Sequence, residues 1–307
     1  MQAQAVPSVA SARVRNDSNP LRVAFLGTDW WLDGCAPPAS TDAMVVSRVR
    51  VDERSGPGAL AVTDDFRPDV TVIFDPIRLS ADVLGELPGL RLGMLVGGAP
   101  AAQDGAAVRS LDRVVSFRPQ LSATQIPGGR VWRAVPPPVS DALFADVRPL
   151  QGKAHVVTVG ASTSYREEML LPAKHHHDVL QVLHGVSGAP LIELLREYDV
   201  GVYVPRERGG GFGQQVGMHL AAGQLLLADT LVPAHGLERS IDYLHIDSPE
   251  GLVRQLDRLA RFPEMHHRIR VRGRRKAEQY RASRLFGRVV HDLLRDVSAF
   301  GSDRTRA

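Results

Sequence analysis

The sequence predicts an α/β chain made of two doubly wound domains, each a mostly parallel sheet flanked by helices. Three observations carry that expectation. Short apolar and β-branched runs alternate with helical segments. The alternation reaches a triple proline, Pro136–Pro138, and then starts again. The 307 residues suit two domains of about 100–200 residues each.

Leu21–Gly27 ("LRVAFLG") opens the first half as an apolar run ending in glycine, as buried parallel strands often do. Val70–Asp75, Leu90–Val96, Arg113–Phe117 and Val131–Val135 are further strand candidates, with helical or loop segments such as Ser80–Leu87 between them. A proline run continues neither a helix nor a central strand, so Pro136–Pro138 reads as a stiff hinge. Ala154–Gly160 ("AHVVTVG") then mirrors the first strand. Helical Leu191–Tyr198 runs into strand Asp199–Val204, and Leu225–Asp229 is the next strand. "SPEGLVRQLDRLARF" carries a serine cap, Pro249 in the first turn and Glu250 after it, which are helix-start signals. Helical segments over about residues 263–279 and 283–299 close the chain. The expected division is a leader over residues 1–20, an N-terminal domain over 21–138, a C-terminal domain over 139–285, and a terminal helix and tail over 286–307.

Composition narrows the function classes. Hydrophobic residues are 44% and charged residues 23%, ordinary globular values. The net charge of +3 is spread rather than blocked, which argues against a nucleic-acid partner. Cys35 is the only cysteine, so no intramolecular disulfide or cysteine zinc cluster can form, and a reducing cytoplasmic setting fits. The leader has no apolar core of signal-peptide length and reads as disordered. No run approaches the ~18–20 apolar residues of a membrane span, which leaves peripheral membrane contact open.

Chemistry centres on "RGGGFGQQVGMHLAAG", Arg208–Gly223. A strand, a glycine-rich loop and a helix follow one another there. In doubly wound sheets ligands bind beyond the strand ends, where helix N-termini present unpaired N–H groups and favour anions. Glycines let a phosphate approach the backbone closely. The alternative is a mobile glycine loop before a core-packed helix. The stretch is not a Walker loop, and no Gly-x-Gly-x-x-Gly follows the first strand. Arg166, Lys174, Arg206 and Arg208 are anion-handling candidates, though a solvated surface role competes for each. Histidine is absent before His155. His175–His177 are adjacent, so their side chains diverge and do not form a metal site. His219 sits within the helix after the glycine loop, where core packing is the default reading. His235 and Glu238 ("PAHGLE") border the same region. The basic run Arg268–Lys276 could touch anionic lipid, but a solvated helix face with acidic neighbours is the simpler reading.

The stretch "YDVGVYVPRERGGGFGQQVGMHLAAGQLLLADTLVPAHGLERSIDYLHIDSPEGLVRQLDRL" resembles the group 1 glycosyltransferases of GT-B fold, most closely their CgeB-like branch. The resemblance spans about Ala154–Leu294. "GGRVWRAVPPPVSDALF" resembles the family's interdomain segment, and the N-terminal domain matches by layout alone. The resemblance implies two Rossmann-like domains facing across a cleft. The nucleotide-sugar donor would lie mostly on the C-terminal domain, and the acceptor (glycan, lipid or small molecule) mostly on the N-terminal one, with closure over substrate. It implies donor binding by Arg166, Lys174, Arg206, Gly210, Gly211, Phe212, Gly213 and Glu238. It implies no cofactor and no metal, and no Asp-x-Asp triplet occurs in the chain. The leaving diphosphate would be stabilised by the helix N-terminus and basic side chains as an oxocarbenium-like state develops.

Two departures from the family pattern bear on catalysis. Gly210 and Met218 occupy positions where the family commonly carries glutamates, and its N-terminal histidine is missing. Glu207 and His219 lie close in sequence to the missing glutamates, and Asp29, Asp33 and Asp75 are the nearest polar candidates for the missing histidine, which leaves Asp29 and His219 as catalytic candidates. The competing expectation is a catalytically degenerate GT-B protein that binds a glycan or a partner. A nucleotide-sugar epimerase or another dinucleotide enzyme is a third reading, opposed by the missing fingerprint after the first strand.

Overall fold

A computed structural model describes residues 19–51, 56–97, 100–122, 124–150, 153–183 and 186–306. Residues 1–18, most of the expected leader, lie outside the described residues.

The first half runs β1 (Leu21–Gly27), α1 (Asp29–Cys35), β2 (Met44–Arg50), α2 (Gly56–Phe66), β3 (Val70–Phe74), α3 (Ala81–Glu86), β4 (Leu90–Leu95), α4 (Gly105–Arg109), β5 (Arg113–Ser116), β6 (Gln125–Ile126) and β7 (Gly129–Ala134). Its sheet has the order β2-β1-β3-β4-β5-β7-β6, with only the β6–β7 pair antiparallel. Every residue of β3 is buried, so the strand is apolar on both faces except at Thr71, whose hydroxyl donates to Pro88 O at 2.7 Å.

The second half runs β8 (Val156–Val159), α5 (Ser164–His176), β9 (Val179–Val182), α6 (Gly188–Glu197), β10 (Val200–Tyr203), α7 (Gln214–Ala221), β11 (Leu225–Ala228), β12 (Leu244–His245), α8 (Pro249–Arg261), α9 (His267–Ala277) and α10 (Ala282–Phe300). The sheet order is β12-β11-β10-β8-β9, parallel throughout. Ser248 caps α8 by accepting from the Gly251 N–H, and Pro249 opens the helix, as the sequence predicts.

The chain crosses between the sheets twice. Val139 leaves the first domain, and α10 returns to it. Leu285, Phe286, Val289, Val290 and Leu293 of α10 are buried in the first domain's core. Phe286 sets its ring edge-on to Phe25, with centroids 4.8 Å apart. The two crossings are tied together: Val139 N–H donates to Tyr280 O (2.8 Å), and Ala282 N–H donates to Val139 O (2.8 Å). Asp141 accepts from the Ser283 N–H and hydroxyl at 3.0 and 2.6 Å. Hydrogen bonds from Arg281, with help from Arg274, hold the Glu278 carboxyl down at about 2.

The basic run on α9 is not simply a solvated face, although Arg268, Arg272 and Arg275 are exposed. Buried Arg270 donates to Gly223 O (3.1 Å) and Arg148 O (2.8 Å), and Arg274 donates to Ala145 O (2.7 Å). These guanidinium groups satisfy loop carbonyls beneath the second sheet. Sequence periodicity could not reveal that role, because the partners are distant in the chain.

Candidate functional site

The carboxyl ends of both sheets open into one cleft of about 1060 Å³. Its C-terminal wall begins where β8 ends. Gly160 has φ +136°, and a Cβ there would lie 2.3 Å from Arg166 Nη1, so only glycine lets the guanidinium pass. Arg166 is 6% exposed. Its Nε donates to Val204 O (2.8 Å) and its Nη1 to Ala161 O (2.7 Å). Among the described residues no carboxylate pairs with it. Burial, more than neighbouring charge, lowers its pKa. A buried cation held by neutral carbonyls is incompletely compensated and favours an incoming anion.

The glycine run forms the next part of this wall. Gly209 and Gly211 take left-handed φ values of +77° and +76°, and a Cβ on Gly211 would meet Val232 O at 2.6 Å. The Tyr203 hydroxyl donates to Gly211 O at 2.8 Å, and burial pushes that phenol up to about 12. Helix α7 starts at Gln214 with Gly213 as an N-cap that has no side chain to satisfy the first turn. The Gln214 and Gln215 amides therefore have no intrahelical acceptor, and both residues line the cleft, where the positive end of the helix dipole favours an anion. Gln214 is 6% exposed, and neither polar atom of its side chain has a partner among the described residues.

The N-terminal wall is apolar and cationic. Trp30 and Trp31 of α1, with Phe117 and Arg118 after β5, line it. Trp31 stacks near Phe74 (6.4 Å) and lies 6.1 Å from Phe117, in its own domain's core. Its neighbour Trp30 instead packs against the core of the other domain. Gly34 of α1 also crosses over, its carbonyl accepting from Ser140 N–H at 2.8 Å.

The cleft brings together Arg166, Arg206, Arg208, Gly210, Gly211, Phe212 and Gly213 of the sequence-predicted set. Lys174 lies outside its lining; the Nζ is engaged by Gln181 and by Glu167 Oε2 at 2.9 Å. Bonds from Ser162 and Lys174 hold Glu167 below the usual carboxylate range. Glu238 is exposed outside the lining, with its N–H donating to Asp242 Oδ2 at 3.0 Å.

Neither catalytic candidate reaches the cleft. Asp29 pairs with Arg50 (3.0 Å) on the outer side of α1. His219 is wholly buried behind β10, where Nδ1 meets Gln224 Oε1 at 2.6 Å and burial pushes its pKa down to about 4. The helix turns it into the core, so the default reading of that histidine is the one the structure displays. Asp33 pairs with Arg48, and Asp75 with Arg78 at 2.6 Å; neither lines the cleft. Glu207 is the only carboxylate in the lining, which contains no histidine among the described residues. Met218 is 1% exposed in the core.

Sequence reasoning missed Trp30, Trp31, Arg118 and Gln214. The signal for the first two was present, since "DWW" begins two residues after the first strand's terminal glycine. Among the described residues no group of three or more His, Cys, Asp or Glu side chains is placed to hold a metal ion, and no helix is long and apolar enough to cross a membrane.

No family model and no curated protein sequence matches the chain. Solved structures do. HepE from Anabaena in complex with UDP is 12% identical with a TM-score of 0.54, over 90% of this chain and 100% of that one. A glycosyltransferase from Rickettsia africae is 11% identical with a TM-score of 0.57, over 91% of this chain and 99% of that one. Sucrose-phosphate synthase from Thermosynechococcus elongatus is 11% identical with a TM-score of 0.58, over 91% and 99%. At such identity the likeness establishes the architecture: the chain has the GT-B fold.

Proposed function

We propose that the chain is a glycosyltransferase, related to the CgeB-like branch, that moves a sugar from a nucleotide-diphosphate sugar to an acceptor without a metal. One observation carries the reading: buried, carboxylate-free Arg166 and the uncapped N-terminus of α7 line the same cleft. The donor's diphosphate would accept hydrogen bonds from the α7 amides and Arg166, with Arg206 at the rim. In transfer the bond from the sugar's anomeric carbon to the diphosphate oxygen breaks, and an acceptor oxygen bonds to that carbon. The C-terminal wall stabilises the charge that develops on the leaving group. The acceptor would rest on the Trp30–Trp31 wall, and Glu207 is the only lining carboxylate able to take its proton. HepE, a protein of the same fold, forms a complex with UDP, which supports a nucleotide ligand for this chain. A cytoplasmic setting accords with the single buried thiol of Cys35.

The test is a thermal-shift screen with UDP, GDP, ADP, dTDP and their sugars, with and without magnesium, followed by assay of nucleoside diphosphate release. The expected result is stabilisation by one nucleotide and consumption of its sugar, both lost in Arg166→Ala. A second reading, a degenerate binding protein, is favoured by the scarcity of carboxylates and histidines in the lining. It predicts binding or partner capture with no turnover of any donor.

A further inference from the structure

Gln214 is the first residue of α7 and lines the cleft, with its carboxamide enclosed against α1. It is 6% exposed, yet both Nε2 and Oε1 lack a hydrogen-bond partner among the described residues. A buried carboxamide left unpaired is costly, so a position like this calls for a ligand that satisfies it. The side chain reaches across the domain boundary. A Cβ on Gly34, in α1 of the N-terminal domain, would lie 2.2 Å from Nε2, so the amide as placed sits directly against α1. Gln214 thus extends from the proposed diphosphate cradle towards the acceptor wall.

The chemistry of the group narrows what it reads. A diphosphate accepts hydrogen bonds and donates none, so it cannot satisfy Oε1. A hydroxyl both donates and accepts, so neighbouring hydroxyls can satisfy both ends of a carboxamide. With the diphosphate at the α7 amides, the part of the donor facing α1 is the transferred sugar, because transfer happens between the walls. Resting on the donor-site reading above, we propose that Gln214 is a specificity-determining residue that binds hydroxyls of the transferred sugar. Its neutral amide does work for which Gly210 and Met218 supply no carboxylate.

The experiment is calorimetric titration of wild type, Gln214→Ala and Gln214→Leu with UDP and UDP-glucose, GDP and GDP-mannose, ADP and ADP-glucose, and dTDP and dTDP-glucose. Gln214→Leu keeps the bulk beside Gly34, and thermal melting of both variants reports folding. For the pair that wild type binds, both variants are expected to keep the diphosphate Kd within about two-fold. They should weaken the sugar nucleotide by about five- to thirty-fold, the loss of one to two hydrogen bonds. Equal weakening of both ligands would assign Gln214 to the nucleoside, the phosphates or the fold. Indifference of both ligands would leave it without a ligand role. Either result overturns the proposal while the donor site stands. A wild-type chain that binds no member of any pair removes the donor site itself, and this assignment with it.

Discussion

The two walls of the cleft are built from different materials. The C-terminal wall is mostly backbone: glycines at φ values that side chains rarely adopt, free helix amides, and one arginine locked by carbonyls. The N-terminal wall is mostly side chain: Trp30, Trp31, Phe117 and Arg118. Its nearest aspartates are turned away and paired, Asp29 with Arg50, Asp33 with Arg48 and Asp75 with Arg78. A backbone wall can stabilise any anion of the right shape, whereas a side-chain wall sets what lies opposite it. The proposed donor and acceptor roles follow from that division of labour.

Arg166→Ala should break the comparison most sharply. It removes the only buried cation in the lining among the described residues and is expected to weaken nucleoside diphosphate binding by about 100-fold or more, roughly 3 kcal/mol or more. Arg118→Ala on the opposite wall should leave that affinity within about two-fold and act on the acceptor instead. Calorimetry of the two variants separates the walls.

His219 sharpens the boundary between cleft and core. Its pKa of about 4 in the fold lies below its ordinary value, so the folded state keeps the neutral ring while the unfolded chain protonates first. Stability should therefore be full above about pH 6.5 and fall by about 3 kcal/mol as pH drops towards 4. His219→Gln should flatten that part of the profile in urea midpoints measured against pH. A bound nucleotide should leave the apparent pKa of the ring in place, since the ring lies outside the cleft.

Within the backbone wall, Gly211→Ala should cost about 2–3 kcal/mol and lower Tm by several degrees, because positive φ is compounded by the Val232 carbonyl. Gly209→Ala shares the φ but faces open space, and should cost about 1 kcal/mol. The smallest effect belongs to Lys174→Met, since that ammonium is committed to Glu167 and Gln181 outside the cleft. Nucleotide affinity should move by less than about two-fold.

What the sequence revealed follows the same division. Leu225–Ala228 is fully apolar and Leu21–Gly27 is apolar and buried apart from exposed Arg22, and both were legible. The half-exposed edge strand Met44–Arg50, with Ser47, Arg48 and Arg50 among its valines, was not. The glycine-rich loop was legible because its conformation demands glycine. Lys174 and Glu238 lie outside the lining, because proximity in sequence does not say which way a helix or turn points a side chain. His219 shows the same limit: the residue after Met218 faces the sheet, not the loop. "DWW" just after the first strand marked the place of the Trp30–Trp31 wall, but not its role, because that depends on two cores meeting across α1.

The central claim is that a diphosphate sits on the α7 amides. Hydrogen exchange over residues 209–216, with and without a saturating nucleoside diphosphate from the screen, tests it most directly. These amides make few backbone hydrogen bonds, so they should exchange fast in the free protein and slow by about ten-fold or more on binding. The amides of α10 should be unchanged. Protection confined to another part of the molecule, with residues 209–216 exchanging as before, would contradict the account.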